Sequence, residues 1–469
     1  MKTHPEQDYS VVIHHWTTAI QRNPKDTRAY YKRGIAYSRT EEYTKAIEDF
    51  TMVIRLDINY TRVYTKRSVV YNCKGEYDRA IQDCTEAIRL DAQDIMAYIS
   101  RGIAYAIMGK YDLALHDFSK AIAINPQCIF VYNNRGIIYN RQGDYKQAVW
   151  NYTTALGYDP SYAAAYTNRG MAYNNAGEYK AAIQDFTEAI RLVSKDTVAY
   201  TNRGIAYTCT GNDKAAIQDF TEAIRLDPEN ASVYNHRGLV YTHTGEYKAA
   251  IQDFTIALKL DPAYVAAYAN RGAAYNAIDQ YDQALKDCTQ AITLDAQYAP
   301  AYANRGAAYN AIDQYDQALK DCTQAITLDA QYAPAYANRG AAYNAIDQYD
   351  QALKDCTQAI TLDPLFGPAY ITRGMTYAHM DQHDRALVDY DKALEIDAKD
   401  VRAYYHRGKA YYQKGEYELA IEDFSKAIEL DPIDARAYYS RGDAYNQQGN
   451  RERAQADFTE AKQRQAKSR

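Results

Sequence analysis

Residues 267–298 read AYANRGAAYNAIDQYDQALKDCTQAITLDAQY, and residues 301–332 repeat that string letter for letter. Residues 335–364 repeat it again, until Pro364 takes the place of an Ala. The period is 34 residues. A fixed period of this size describes a small supersecondary unit that cannot bury a core alone and must stack on copies of itself. A chain of 469 residues would otherwise divide into about three globular domains. Stacking removes that expectation, because an array grows by adding units rather than by enlarging one core.

The same ruler reaches nearly from end to end. Full units begin at Thr27, Thr61, Ile95, Ile129, Ala163, Thr197, Ala231, Val265, Ala299, Ala333, Gly367, Val401 and Ala435, thirteen in all. Each reads as helix, short turn, helix, loop. The turn often carries Gly, as at Gly75, Gly143, Gly211 and Gly415, and the loop often carries Asp-Pro, as at Asp159-Pro160 and Asp261-Pro262. Gly permits the tight turn, and Pro ends the second helix. Residues 1–26 match the second half of a unit, with Tyr9, Val12, Trp16, Ala19 and Ile20 at helical spacing. They are expected to form a capping half-repeat ahead of the units at 27–468. In the last unit, 435–468, Gln455, Lys462 and Arg464 replace the Ile and Leu of earlier copies, as in a polar end cap.

Within a unit, two Tyr recur in the first helix in all thirteen copies (Tyr166 and Tyr173, for example), and Ala182 recurs as Ala in every second helix. Gly170 facing that Ala is expected to let the backbones approach closely, with Phe186 filling the space between units. Aromatic, small residue, Tyr, Ala, aromatic, Ala and Pro follow one another over 34 residues. This pattern resembles the tetratricopeptide repeat, over essentially the whole chain. The resemblance implies an all-α solenoid of antiparallel helix pairs forming a right-handed superhelix, with the first helices lining its concave side. It also implies a protein-binding module without chemistry of its own.

One departure from the family is systematic. The residue before the Gly is usually Leu in the family; here it is Arg in all thirteen units, from Arg33 to Arg441. The second helix matches it with Asp, from Asp49 to Asp457, except at Asn151. An Arg–Asp pair inside each unit is the expectation. The competing reading, thirteen anion sites, requires the Arg forks to face solvent.

Opposite the core face, each first helix carries a second stripe. Asn134, Asn168, Asn202, Asn270, Asn304 and Asn338 recur on it at one register, with His236 at the equivalent place in another unit. Each amide offers a donor and an acceptor, so the row suits an extended peptide backbone whatever its sequence. It resembles the asparagine ladder in the repeat domain of O-linked N-acetylglucosamine transferase. In the first two units the stripe is basic instead: Arg28, Lys32, Arg39, Arg62 and Lys66. That set would attract an acidic partner. It matches only loosely the carboxylate clamp of chaperone-binding family members.

Other classes find little support. A net charge of −6 argues against nucleic acid as a partner. No P-loop, GxSxG, HExxH or Cys–His set occurs, so no enzyme activity and no cofactor are expected. His379 and His383 sit four apart but straddle the turn and lack further ligands nearby, so no metal is expected. The seven Cys are scattered without CxxC, and four (Cys84, Cys288, Cys322, Cys356) stand where other units have Phe, as small core residues of a reducing compartment. No stretch is long and apolar enough to span a bilayer. The expectation is a cytoplasmic scaffold that binds extended protein segments; the alternative is a structural protein that self-associates through its stack ends. Concentration-dependent growth in light scattering would favour the alternative.

Overall fold

The computed structural model describes residues 9–467. The first eight residues of the half-repeat, and the last residue of the final unit, lie outside the described residues. Among the described residues there are 27 helices: Tyr9–Arg22, then thirteen pairs. The first helix of a pair has 13 residues, as in Ala163–Asn175, and the second usually 14, as in Tyr179–Leu192. Contacts divide the chain into two compact parts, Met1–Pro228 and Glu229–Arg469. In each part the helices form an α-solenoid. A helix packs on its own partner and on the first helix of the next unit.

Helix starts and stops follow from local chemistry. Asp26, Asp94, Asp196 and Asp400 cap first helices, each accepting from the backbone N–H three residues on. After the first helix the chain must turn through the left-handed region, which costs a residue with Cβ about 1–2 kcal/mol. Gly143 (φ 79°) and seven other Gly take this position. In units that lack it, Asp279, Asp313, Asp347 and Asp381 adopt φ 59° and Glu41 φ 62°. Tyr281, Tyr315 and Tyr349 donate to the first three of those carboxylates, which ties the strained turn to the next helix.

The core is built from small residues around one ring per unit. Ala182, Phe186 and Ala189 are fully buried, with Tyr166, Tyr173 and Tyr179 packed around them. Gly170 lies on the close helix approach that its sequence pattern suggests: at the equivalent place a Cβ on Gly272 would be 3.4 Å from Ala284 O. Gly170 also faces the ring of its own unit: a Cβ at Gly170 would lie 2.7 Å from Phe186 Cε1. In the near-identical units the ring is replaced by sulfur, and a Cβ at Gly272 would meet Cys288 Sγ at 2.6 Å. These three Cys and Cys84 are free and buried, and desolvation pushes the thiols of Cys288, Cys322 and Cys356 up to about 12. They serve as small hydrophobes, as read from the sequence.

The thirteen Arg lie in the seam between helices. In twelve units Nε and Nη2 donate to the two oxygens of one Asp, at 2.6–2.9 Å, as in Arg169–Asp185 and Arg271–Asp287. The Asp side chains are only 2–10% exposed and the Arg 15–20%. The forks are therefore filled, and the reading of thirteen open anion sites is wrong. The third nitrogen makes a bond that the sequence did not reveal. Nη1 reaches back to a hydroxyl on the second helix of the preceding unit: Arg67 to Thr51, Arg169 to Thr153, Arg305 to Thr289, Arg441 to Ser425. Arg33 makes the same bond to Thr17, which docks the N-terminal helix in ordinary register.

Gly170→Ala should destabilise by about 1–3 kcal/mol through overpacking against the ring. Adding Phe186→Leu should recover part of that loss in thermal or urea unfolding. An equal loss in both backgrounds would show that the ring is not what Gly170 accommodates. Removing Asp185 alone (Asp185→Ala) strands a half-buried cation and should cost about 3 kcal/mol, near the lower end for a broken buried pair because Thr153 still holds Nη1.

Candidate protein-binding face

The first helices of successive units stand side by side and present the second stripe. Its apolar members are open to solvent: Met96 is 50% exposed, Phe130 59% and Val198 50%. An unburied apolar row of this kind marks a contact surface.

The six Asn are all half-buried, and none points freely outward. Four of them reach back to the neighbouring first helix. Asn168 Nδ2 donates to Asn133 Oδ1 at 2.9 Å, and Asn270 Nδ2 to Asn235 Oδ1 at 3.0 Å. Asn304 and Asn338 donate to the carbonyls of Ala269 and Ala303, both at 3.0 Å. Asn134 and Asn202 instead fold back on their own helix, to Phe130 O and Val198 O. One N–H of each amide is thus committed, and the other N–H and the carbonyl remain available. His236 Nδ1 lies 3.3 Å from Ser232 Oγ, and burial holds its pKa below the usual imidazole range.

A second Asn row, missed from the sequence, stitches the same helices in the opposite direction. Asn72, Asn174, Asn276 and Asn310 donate forward to the carbonyls of Ser100, Asn202, Asn304 and Asn338. The signal was there: each lies six residues beyond a position of the first row. Asn276 reaches Asn304 O while Asn304 reaches Ala269 O, so the two rows interlock adjacent helices.

The basic set separates into two neighbouring hollows. Arg28, Lys32 and Arg39 border one of about 600 Å³ together with Trp16, Val12 and His15. Arg62 and Lys66 border another of about 450 Å³ with Tyr31 and Met96. All five cations are exposed, and none has a carboxylate in ion-pair range among the described residues. Arginines on second helices behave differently: Arg89, Arg191 and Arg225 each pair with the Glu three residues before them.

His379 and His383 do not form a metal site. His379 Nδ1 lies 3.2 Å from Asn344 Oδ1, His383 Nε2 lies 3.9 Å from Asp381, and among the described residues no group of three ligands converges. The sequence missed a third imidazole in the same hollow, His406, which stacks on Tyr390 at 6.1 Å. Desolvation, then Lys409, Arg402, Arg436 and His379, pulls its pKa down to about 4.

With this geometry in hand, the comparisons decide the family. Models described as tetratricopeptide repeat match residues 7–60, 61–94, 95–128, 133–197, 231–264, 265–298, 299–332, 333–366 and 435–468. A further TPR repeat model matches 206–245, 374–415 and 408–449. The chain belongs to the tetratricopeptide repeat family. No curated protein sequence matches it significantly. Among solved structures it is similar to a chain of the APC/C hetero-tetramer Cut9-Hcn1, with a TM-score of 0.56 and 15% identity over 96% of this chain and 95% of that one. Yeast Tom70 gives 0.42 at 18% identity, covering 91% and 96%. The MamA protein gives 0.34 at 27% identity, over 36% of this chain and 93% of that one. The first of these shows a shared fold. No helix among the described residues is long and apolar enough to cross a membrane.

His406 generates a pH dependence. Its folded pKa lies below the unfolded value of about 6.5, so the fold favours the neutral ring. That stability is fully present above about pH 6.5 and is lost as pH falls toward 4. The midpoint of thermal unfolding should drop between pH 7 and 5, and His406→Gln should flatten the drop. An unchanged slope in the variant would remove His406 as its source.

Proposed function

We propose that this chain is a non-enzymatic scaffold that holds extended protein segments along its first-helix face. The observation that carries the proposal is the anchored Asn row. Each amide is fixed through one N–H, so it presents its carbonyl and second N–H at little further entropic cost. Fixed amides repeated once per unit bond a peptide main chain and leave its side chains to the apolar stripe between them. His236 stands at the same register in one of the units that lack an Asn.

The basic set gives the bound segment a direction. Five cations with no carboxylate in ion-pair range among the described residues, beside Trp16 and Tyr31, favour an acidic stretch at the N-terminal end of the array. The chain similar in fold to this one is itself part of a hetero-tetramer. Binding of protein partners is the activity that the inner face of such an array supports.

Peptides selected from a random display library on the wild-type chain provide the test. Changing Asn168, Asn202, Asn304 and Asn338 together to Ala should weaken them about tenfold or more, since each hydrogen bond contributes about 0.5–1.5 kcal/mol. Reversing Arg28, Lys32 and Arg62 to Glu should weaken only peptides with acidic residues, and most at low salt. Affinities unchanged in the Asn variant would end the ladder reading.

A further inference from the structure

The thirteen units serve as controls for one another, and one breaks the rule of the arginine. In the pair Ile129–Arg141 and Tyr145–Tyr158, the acid is replaced by Asn151. Asn151 Oδ1 accepts only from Arg135 Nε, at 2.7 Å, and its Nδ2 turns away to Gln147 O at 2.8 Å. The second carboxylate oxygen that takes Nη2 in every other unit is missing. Arg135 Nη1 also makes no hydrogen bond to Ser119 Oγ, the hydroxyl at the place that takes Nη1 in other units; Ser119 Oγ donates to Leu115 O at 2.8 Å. Burial pulls the Arg135 guanidinium down, whereas the guanidiniums of Arg101 and Arg169 on either side are raised by their Asp partners.

The surroundings of Arg135 are also exceptional. Trp150 and Tyr132 each place a ring 5.6 Å from its Cζ, while its Nη edge has no acceptor among the described residues. Trp150 is 53% exposed and stands where other units carry Gln82, Gln184 or Gln252. Tyr158 is 48% exposed where others carry Leu90 or Leu192, and its ring lies 6.1 Å from that of Tyr132. A stacked cation with an open edge and an exposed aromatic rim suits in-plane capture of a carboxylate.

We propose that this is a docking site for an acidic side chain of a protein partner. An Asp or Glu carboxylate gives Arg135 the acceptor that Asn151 withholds, and the apolar residues beside it pack on Trp150 and Tyr158. The geometry of the captured group has twelve precedents in this same chain, in the Asp of every other unit. Charge complementarity selects the acid, and the rings select its apolar flank. The site joins Arg135 and Tyr132 of the first helix to Trp150 and Tyr158 of the second, and does not rest on the function proposed above.

Asn151→Asp is the informative variant, because it fills the site from within while restoring the pair that the other units have. A random-peptide display library is selected on the full-length wild-type chain and the binders are measured against N151D and Arg135→Gln. The expected result is a class of peptides with Asp or Glu next to a large apolar residue, bound at least tenfold more weakly by both variants. Those peptides should be indifferent to Ala at Asn168, Asn202, Asn304 and Asn338, which separates this outcome from the ladder. N151D should also unfold at a higher temperature than wild type, confirming that loss of binding is not loss of fold. The proposal is overturned if no peptide distinguishes wild type from N151D, or if those that do carry no acid. It is equally overturned if inorganic phosphate at matched ionic strength abolishes the N151D-sensitive binding at concentrations near its own affinity for Arg135, which would make this a small-anion site.

Discussion

The arginine before the core glycine holds three helices together. Its Nε and Nη2 clamp the Asp of its own second helix, its Nη1 reaches a hydroxyl of the preceding unit, and its faces lie against Tyr rings. Arg203 shows the arrangement: Asp219 at 2.7 and 2.8 Å, Thr187 at 2.9 Å, Tyr200 and Tyr207 at 5.7 and 5.9 Å. A guanidinium suits this place because its planar fork matches a carboxylate and its flat face matches a ring. Desolvating both charges is costly, and burial pushes the Asp83 and Asp423 carboxyls upward against their Arg partners. The arrangement fixes the register of one unit on the next rather than supplying much net stability.

Small residues make that register possible. Ala at two places in the second helix and Gly in the first leave room for one ring or one thiol per unit. Because every unit repeats this packing, the residues outside it are free to vary without loss of the stack. The first-helix face carries that variation as apolar residues, anchored amides and, in the first two units, cations that no carboxylate among the described residues neutralises.

Much of this was legible in the sequence because an exact repeat displays its own constraints. Arg33 to Arg441 against Asp49 to Asp457 identifies a pair by recurrence alone, and Asn151 stands out as the exception. Sequence reading missed the link to Thr51, Thr153 or Thr289, since Thr at that place is equally an exposed helix residue. It also missed how tightly Phe186 presses on Gly170: spacing tells which residues share a face, but not which atom of the facing helix comes closest. The Asn row was visible, yet its tie to the adjacent helix was not, because that tie crosses 35 residues.

By itself the sequence determined the period, the helix pairs and the family. These depend on local propensity and on apolar spacing, which a linear string records. Only the tertiary structure decided which polar groups are already satisfied. It filled twelve arginine forks, fixed one hydrogen of each ladder amide, and left Arg28, Lys32, Arg62 and Arg135 without a carboxylate among the described residues. The reason is physical: hydrogen bonds are decided at the scale of a few tenths of an ångström between residues far apart in the chain, and the sequence holds no such distances.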